Sequence, residues 1–200
     1  MKALGQGSVS SIVQIGLVIA WWFLWVVFAA VILASAAYAA LFVLASFGIV
    51  DPATLTTDGG GVRVSSGGAT ITAYNNLLDA WPIIAPSLAV GAIAIGGALV
   101  IVWRLNKLFE SFTSGEPFRR ENAQHLRVIW ITMLAVELAR FILLGVFAGL
   151  FATLGAPDGA TANFNLGIDV STWMSIAILI VLAEVFREGA RMKEEQELTI

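Results

Sequence analysis

Two hundred residues, 58% of them apolar and only 12% charged, with a mean hydropathy of +0.88, do not describe a soluble domain, which carries about 25% charge. The net charge of −3 says less than its distribution, and the lack of cysteine excludes disulfides and thiolate chemistry. The class left is an all-α integral membrane protein, predicted to be a four-transmembrane-helix bundle.

Along the chain, Lys2 precedes a long apolar run, and Ala34-Ser35-Ala36 has the form of a signal-peptidase site. The run Ile12–Leu33 exceeds the about 7–15 residues of a signal h-region, so it predicts a retained anchor. The first span is expected at residues 15–47. Trp21, Trp22 and Trp25 mark its inner boundary, because indole rings favour the interface; lipid-facing bulk is the plainer reading of WWFLW.

Residues 51–80 are polar. In GGGVRVSSGGATITAY, Val62 and Val64, then Thr70 and Thr72, alternate about SSGG, the pattern of a hairpin with a glycine turn. A second span, 81–104, is bounded by Trp81 and Trp103 and carries small residues at Ala92, Ala94, Gly96 and Ala98. Residues 105–126 predict an inner helical hairpin. Leu105, Leu108, Phe109 and Phe112 fall at i, i+3, i+4 and i+7. Gly115 suits a helix-ending left-handed residue, and Pro117 suits the first turn of the next helix.

The third span, 127–152, contains Glu137, Arg140 and the close-approach motif Gly145-x-x-x-Gly149. Small residues let helices meet in lipid, and this pair also offers a homodimer face. In the outer segment 153–170, Phe164, Leu166, Ile168 and Val170 alternate as in a half-buried strand. The two outer segments together predict a small extracytoplasmic three-stranded β-cap, with a glycine-rich loop as the alternative. The fourth span, 171–190, leads into a charged tail, 190–200.

Nine of the eleven Lys and Arg residues lie at Lys2, in residues 104–127 or at Arg187, Arg191 and Lys193, whereas segments 51–80 and 153–170 hold only Arg63 against five aspartates. The positive-inside rule then puts both termini in the cytoplasm. The aspartates Asp51, Asp58, Asp79, Asp158 and Asp169 are scattered and expected to be solvated.

Glu137-Leu-Ala-Arg140 and Glu184-Val-Phe-Arg187 repeat one E-x-x-R pattern on antiparallel spans. At ~1.5 Å per residue from Trp130, Glu137 falls roughly 10 Å deep and Arg140 roughly 15 Å. Counting from Trp173 across ~30 Å of hydrocarbon puts Glu184 roughly 13 Å and Arg187 roughly 9 Å from the same face. The match predicts cross-helix pairs, Arg140 with Glu184 and Glu137 with Arg187. Such a quartet is either a neutral clasp fixing helix register or a functional site, a proton or ion relay or an anion site on Arg140.

Other chemistry is sparse. His125 stands alone, without metal-ligating companions, on a helix expected to be exposed. No P-loop, G-x-S-x-G or H-E-x-x-H pattern occurs. The expectation is a protein with no catalytic residues, no cofactor, no metal and no direct nucleic-acid binding. Residues 104–127 carry a net charge of +2 and residues 184–197 one of −2. Glu184, Arg187, Glu188, Arg191 and Glu195 form one helical stripe, either a solvated face or a docking surface.

Phe112-Thr-Ser-Gly-Glu-Pro-Phe, Glu121-Asn-Ala-Gln-His-Leu-Arg and the whole stretch Leu182–Ile200 resemble an uncharacterised bacterial four-span membrane family, domain of unknown function 2975. The resemblance implies four spans and no assigned activity. Some members are encoded beside a small helix-turn-helix DNA-binding regulator, which implies a membrane tether or inhibitor of such a regulator. The expected function is thus that of a bacterial inner-membrane interaction or signalling protein. Its partner-binding candidates are Glu116, Pro117 and Phe118 in the hairpin and Glu188, Arg191 and Glu195 in the tail. The alternative is a small transporter or ion-coupled channel using Glu137, Arg140, Glu184 and Arg187.

Overall fold

The computed structural model describes residues 9–51, 65–66, 69–71, 78, 81–113, 120–154, 162–164 and 168–197. Gly115, Glu116, Pro117 and Phe118, and the strand candidates Val62, Val64, Thr72 and Leu166, lie outside them. Four α-helices dominate: α1 Val9–Ser46, α2 Trp81–Thr113, α3 Arg120–Leu154 and α4 Val170–Glu197. At 38, 33, 35 and 28 residues they exceed the about 20 residues needed to cross ~30 Å of hydrocarbon. All four are long and apolar enough to span a membrane. The chain is a multi-pass membrane protein.

Local chemistry explains two helix ends. Gly48 sits at φ +70°, where an L side chain would be strained. Its N–H donates to the Ala45 carbonyl at 3.0 Å and that of Ile49 to Leu44 at 3.0 Å, a Schellman closure of α1. At the start of α4, Asp169 Oδ1 accepts from the Ser171 N–H at 3.0 Å and Oδ2 from the Thr172 hydroxyl at 2.7 Å. Asp169 is therefore a helix cap and not merely a solvated charge.

The chain divides into two compact units, Met1–Val27 with Ile95–Val136 and Asp169–Ile200, and Phe28–Ala94 with Glu137–Ile168. In the first, α2 and α3 pack antiparallel around the connection that joins them. A Cβ on Gly97 would collide with Val136 Cγ2 and touch Thr132 Cγ2 at 3.7 Å, so only glycine permits this approach. Nearer the connection, the Asn122 amide donates to Ser111 Oγ at 2.6 Å. On α4, Ile176, Leu179, Ala183, Phe186 and Ala190 recur at alternating three- and four-residue steps and turn inward, a coiled-coil-like stripe. Leu108, Leu126 and Ala183 form the buried centre, with Leu105, Phe112, Trp130, Leu179 and Phe186 around it. Phe112 and Phe186 stack with ring centroids 5.9 Å apart.

The second unit holds a small sheet. β1 (Ser65–Ser66) pairs antiparallel with β2 (Ala69–Ile71), which pairs antiparallel with β3 (Ala162–Phe164). The register sets Ser65 opposite Thr70 and Thr70 opposite Asn163. The strand expected through Val170 does not extend that far, because Val170 already opens α4. A Cβ at Gly145 or Gly149 would meet nothing within 4 Å, so the motif singled out in the sequence makes no close approach among the described residues.

Most of α1 carries outward-facing apolar side chains, Trp22, Phe23 and Leu33 each more than 60% exposed. In water this would be an aggregating patch; on a membrane span it is the lipid-facing surface.

The Gly97 contact yields a paired test. Gly97→Ala should destabilise the detergent-solubilised protein by about 1–3 kcal/mol, the range for overpacking, since Val136 is β-branched and has essentially one helical rotamer. Gly96→Ala, where a Cβ meets nothing within 4 Å, should leave the melting temperature unchanged or higher. Equal melting temperatures for the two variants would refute the close approach.

Candidate functional site

The intramembrane charges pair along their own helices. Arg140 donates from Nε to Glu137 Oε2 at 3.1 Å and from Nη2 to Oε1 at 2.5 Å, a bidentate fork. Both side chains are largely enclosed, 16% and 10% exposed, and the Arg140 guanidinium also lies 4.7 Å from the Phe141 ring centre. Arg187 pairs with Glu184 by the same i, i+3 step, but in the open, at 70% and 59% exposure. The cross-helix pairs expected from the sequence are Arg140–Glu184 and Glu137–Arg187. Residues three apart on a helix are already neighbours, so each arginine meets a carboxylate of its own helix.

Arg120 Nη2 donates to Glu194 Oε2 at 2.6 Å, which joins the start of α3 to the end of α4. Stepping inward one residue against one, Arg127 falls level with Arg187 and Trp130 level with Glu184. The expected depth of Glu184 assumed a full-thickness span from Trp173, whereas the run from Val170 to Ala183 is uncharged and only fourteen residues long.

At this level α3 and α4 enclose a groove of about 760 Å³. Trp130, Ile180 and Ala183 line it with apolar surface, Arg120 and Arg127 line it from α3, and Arg187 and Arg191 line it from α4 together with Glu184 and Glu188. On α4 the stripe is an ion-pair ladder. Arg191 pairs with Glu188 at 2.7 Å and with Glu195 at 3.3 Å. Of the partner candidates, Glu188, Arg191 and Glu195 are thus brought together, while Glu116, Pro117 and Phe118 lie outside the described residues. Among the described residues, no three His, Asp or Glu side chains gather as metal ligands.

His125 is not a free surface ring. It lies in the polar first turns of α3, ahead of the third span expected from residue 127, and Arg104 Nη1 approaches its Nδ1 at 3.3 Å. Arginine can only donate, so Nδ1 accepts and the ring is neutral. Burial, then the Arg104 charge, lowers its pKa from the ordinary 6.5, with Glu121 opposing and Lys107 adding. A depressed folded-state value favours the neutral ring, so this stabilisation is complete above pH 6.5 and lost as pH falls through the lowered value. Melting temperature should therefore drop on acidification below about 6.5 in the native protein, and less steeply in His125→Gln.

Removing Arg140 leaves Glu137 enclosed without its counter-charge. Arg140→Gln should cost about 3–5 kcal/mol, while Arg187→Gln, at an exposed pair, should cost about 0–1 kcal/mol. Exchanging the partners on one helix, Glu137→Arg with Arg140→Glu, should recover most of the thermal stability lost in Arg140→Glu. Rescue instead by Arg140→Glu with Glu184→Arg would reinstate the cross-helix clasp.

Sequence reasoning passed over Gly97, Arg127 and the Arg104–His125 contact. A Gly-Gly pair at 96–97, in a span already noted for small residues, was the available signal for the first. The other two carried none, since neither belongs to a recognisable spacing.

Comparison with known proteins found no match among curated proteins and none among solved structures. The model of one family, described as protein of unknown function (DUF2975), matches residues 51–200. That match runs over α2, α3 and α4 with the hairpin and the charged ladder, and it makes the chain a member of the DUF2975 family.

Proposed function

We propose that this is a bacterial inner-membrane interaction or signalling protein, without enzymatic activity. Both termini are cytoplasmic, and the α2–α3 hairpin and the charged end of α4 face a cytosolic partner. The observation that carries this reading is the pre-ordered ladder Glu188–Arg191–Glu195, tied to α3 through Arg120–Glu194. Long charged side chains lose rotamer freedom when a partner binds, and a ladder already held by ion pairs lowers that cost. A merely solvated tail has no need of a tie to a neighbouring helix. The partner class that best suits the reading is a small helix-turn-helix regulator, held at the membrane away from its DNA. In this orientation the sheet of β1, β2 and β3 caps the outer face.

Transport through the intramembrane charges has weaker support. Glu137 and Arg140 neutralise one another on a single helix, and neither lines the groove.

The reading is tested by affinity capture from native membranes. Reversing the ladder with Glu188→Lys and Glu195→Lys should remove a co-purifying cytosolic protein while insertion is unchanged and the melting temperature moves little, since exposed pairs contribute about 0–1 kcal/mol each. Deleting Glu194–Ile200 should act in the same direction. Capture undiminished by both changes would reject the docking surface.

A further inference from the structure

We propose that the groove between α3 and α4 binds the phosphodiester headgroup of an anionic phospholipid from the leaflet at its own level. The argument starts from where the charges stop. Arg127 is the last charged residue on α3 before the uncharged run Val128–Val136, and Arg187 is the first arginine on α4 after its apolar run. The Arg120–Glu194 pair and the groove that both arginines line bring Arg127 and Arg187 near one height, where the uncharged runs of both helices end, the level expected for lipid phosphates.

Charge balance points the same way. The lining holds four arginines and two glutamates, and Arg120, Arg187 and Arg191 have paired carboxylates, which leaves Arg127 as the cation of the groove without one among the described residues. Arg187 and Arg191 hold carboxylates, but a guanidinium has five N–H donors, and their side chains are 70% and 62% exposed. Arg127 is exposed and, among the described residues, has no hydrogen-bond or ion-pair partner. The planar fork of arginine matches phosphate oxygens, and basic pockets between transmembrane helices take anionic headgroups.

The apolar part of the groove selects a lipid over a free anion. Trp130, Ile180 and Ala183 continue it toward the hydrocarbon, giving glycerol and the first acyl carbons a surface that a soluble phosphate would leave unused. The volume of about 760 Å³ falls within the ~300–1,000 Å³ of ligand sites. This inference does not depend on a cytosolic partner.

The test uses the full chain in nanodiscs of equal phosphatidylcholine and phosphatidylglycerol, with retained lipids read by native mass spectrometry. Phosphatidylglycerol should be retained in preference. Arg127→Gln and Arg187→Gln should each lower that preference about fivefold, the factor for one interfacial cation. Lys107→Gln, a hairpin cation outside the groove, should leave it unchanged, with circular dichroism checking the fold of every variant. Lack of preference, or an equal loss in Lys107→Gln, would overturn the site. Inorganic phosphate raising the melting temperature in detergent as much as phosphatidylglycerol does would assign the groove to a soluble anion. Groove variants that keep phosphatidylglycerol but lose a captured acidic protein would make it a peptide site instead.

Discussion

The contact at Gly97 sets the terms for the first unit. Where the Gly97 backbone meets Val136 there is no room for a methyl group, so α2 and α3 lie close enough for side chains on both to enclose a third helix. Helix association inside a bilayer gains nothing from expelling water and relies on close van der Waals contact. The glycine supplies that contact. The inward stripe of α4 then packs on the hairpin, with Ala183 and Ala190 buried on it and Phe186 stacked on Phe112.

A second solvent operates a few turns away. Leu108, Phe112 and Leu126 lie outside the spans expected from the sequence at 81–104 and 127–152, and there water is displaced on packing and each buried large side chain contributes about 1.5–3 kcal/mol. The first unit is therefore held by shape complementarity in lipid and by the ordinary hydrophobic effect at the hairpin. The polar contacts Asn122–Ser111 and Arg104–His125 fall at the watery end, where an unmet donor costs less than it would in hydrocarbon.

Much of this was legible in the sequence. Run length and charge placement gave four helices near their observed positions, and the i, i+3, i+4, i+7 pattern at Leu105–Phe112 marked residues that do pack. What escaped was relational. Glu137 and Arg140 stood out as an intramembrane pair, yet whether a charge turns to its own helix or to a neighbour depends on how the helices meet, and α3 meets α4 through Arg120 and Glu194, two exposed residues 74 positions apart. Gly145 and Gly149 matched a packing motif, whereas Gly97 belonged to none. Only the three-dimensional neighbourhood distinguishes a glycine under a neighbour from one in open space.

The closed pair on α3 bears on how the protein is made. Membrane spans emerge from the ribosome in order, so α3 meets the bilayer before α4 exists. A lone arginine or glutamate at such a position opposes partitioning into lipid by about 2.5–3.5 kcal/mol on insertion scales. Because Glu137 and Arg140 sit one turn apart and bind each other, α3 brings its own counterion and can enter as an electrically neutral segment. The order of synthesis then imposes no waiting step on the third span, and α4 arrives to complete the packing of helices already in the bilayer.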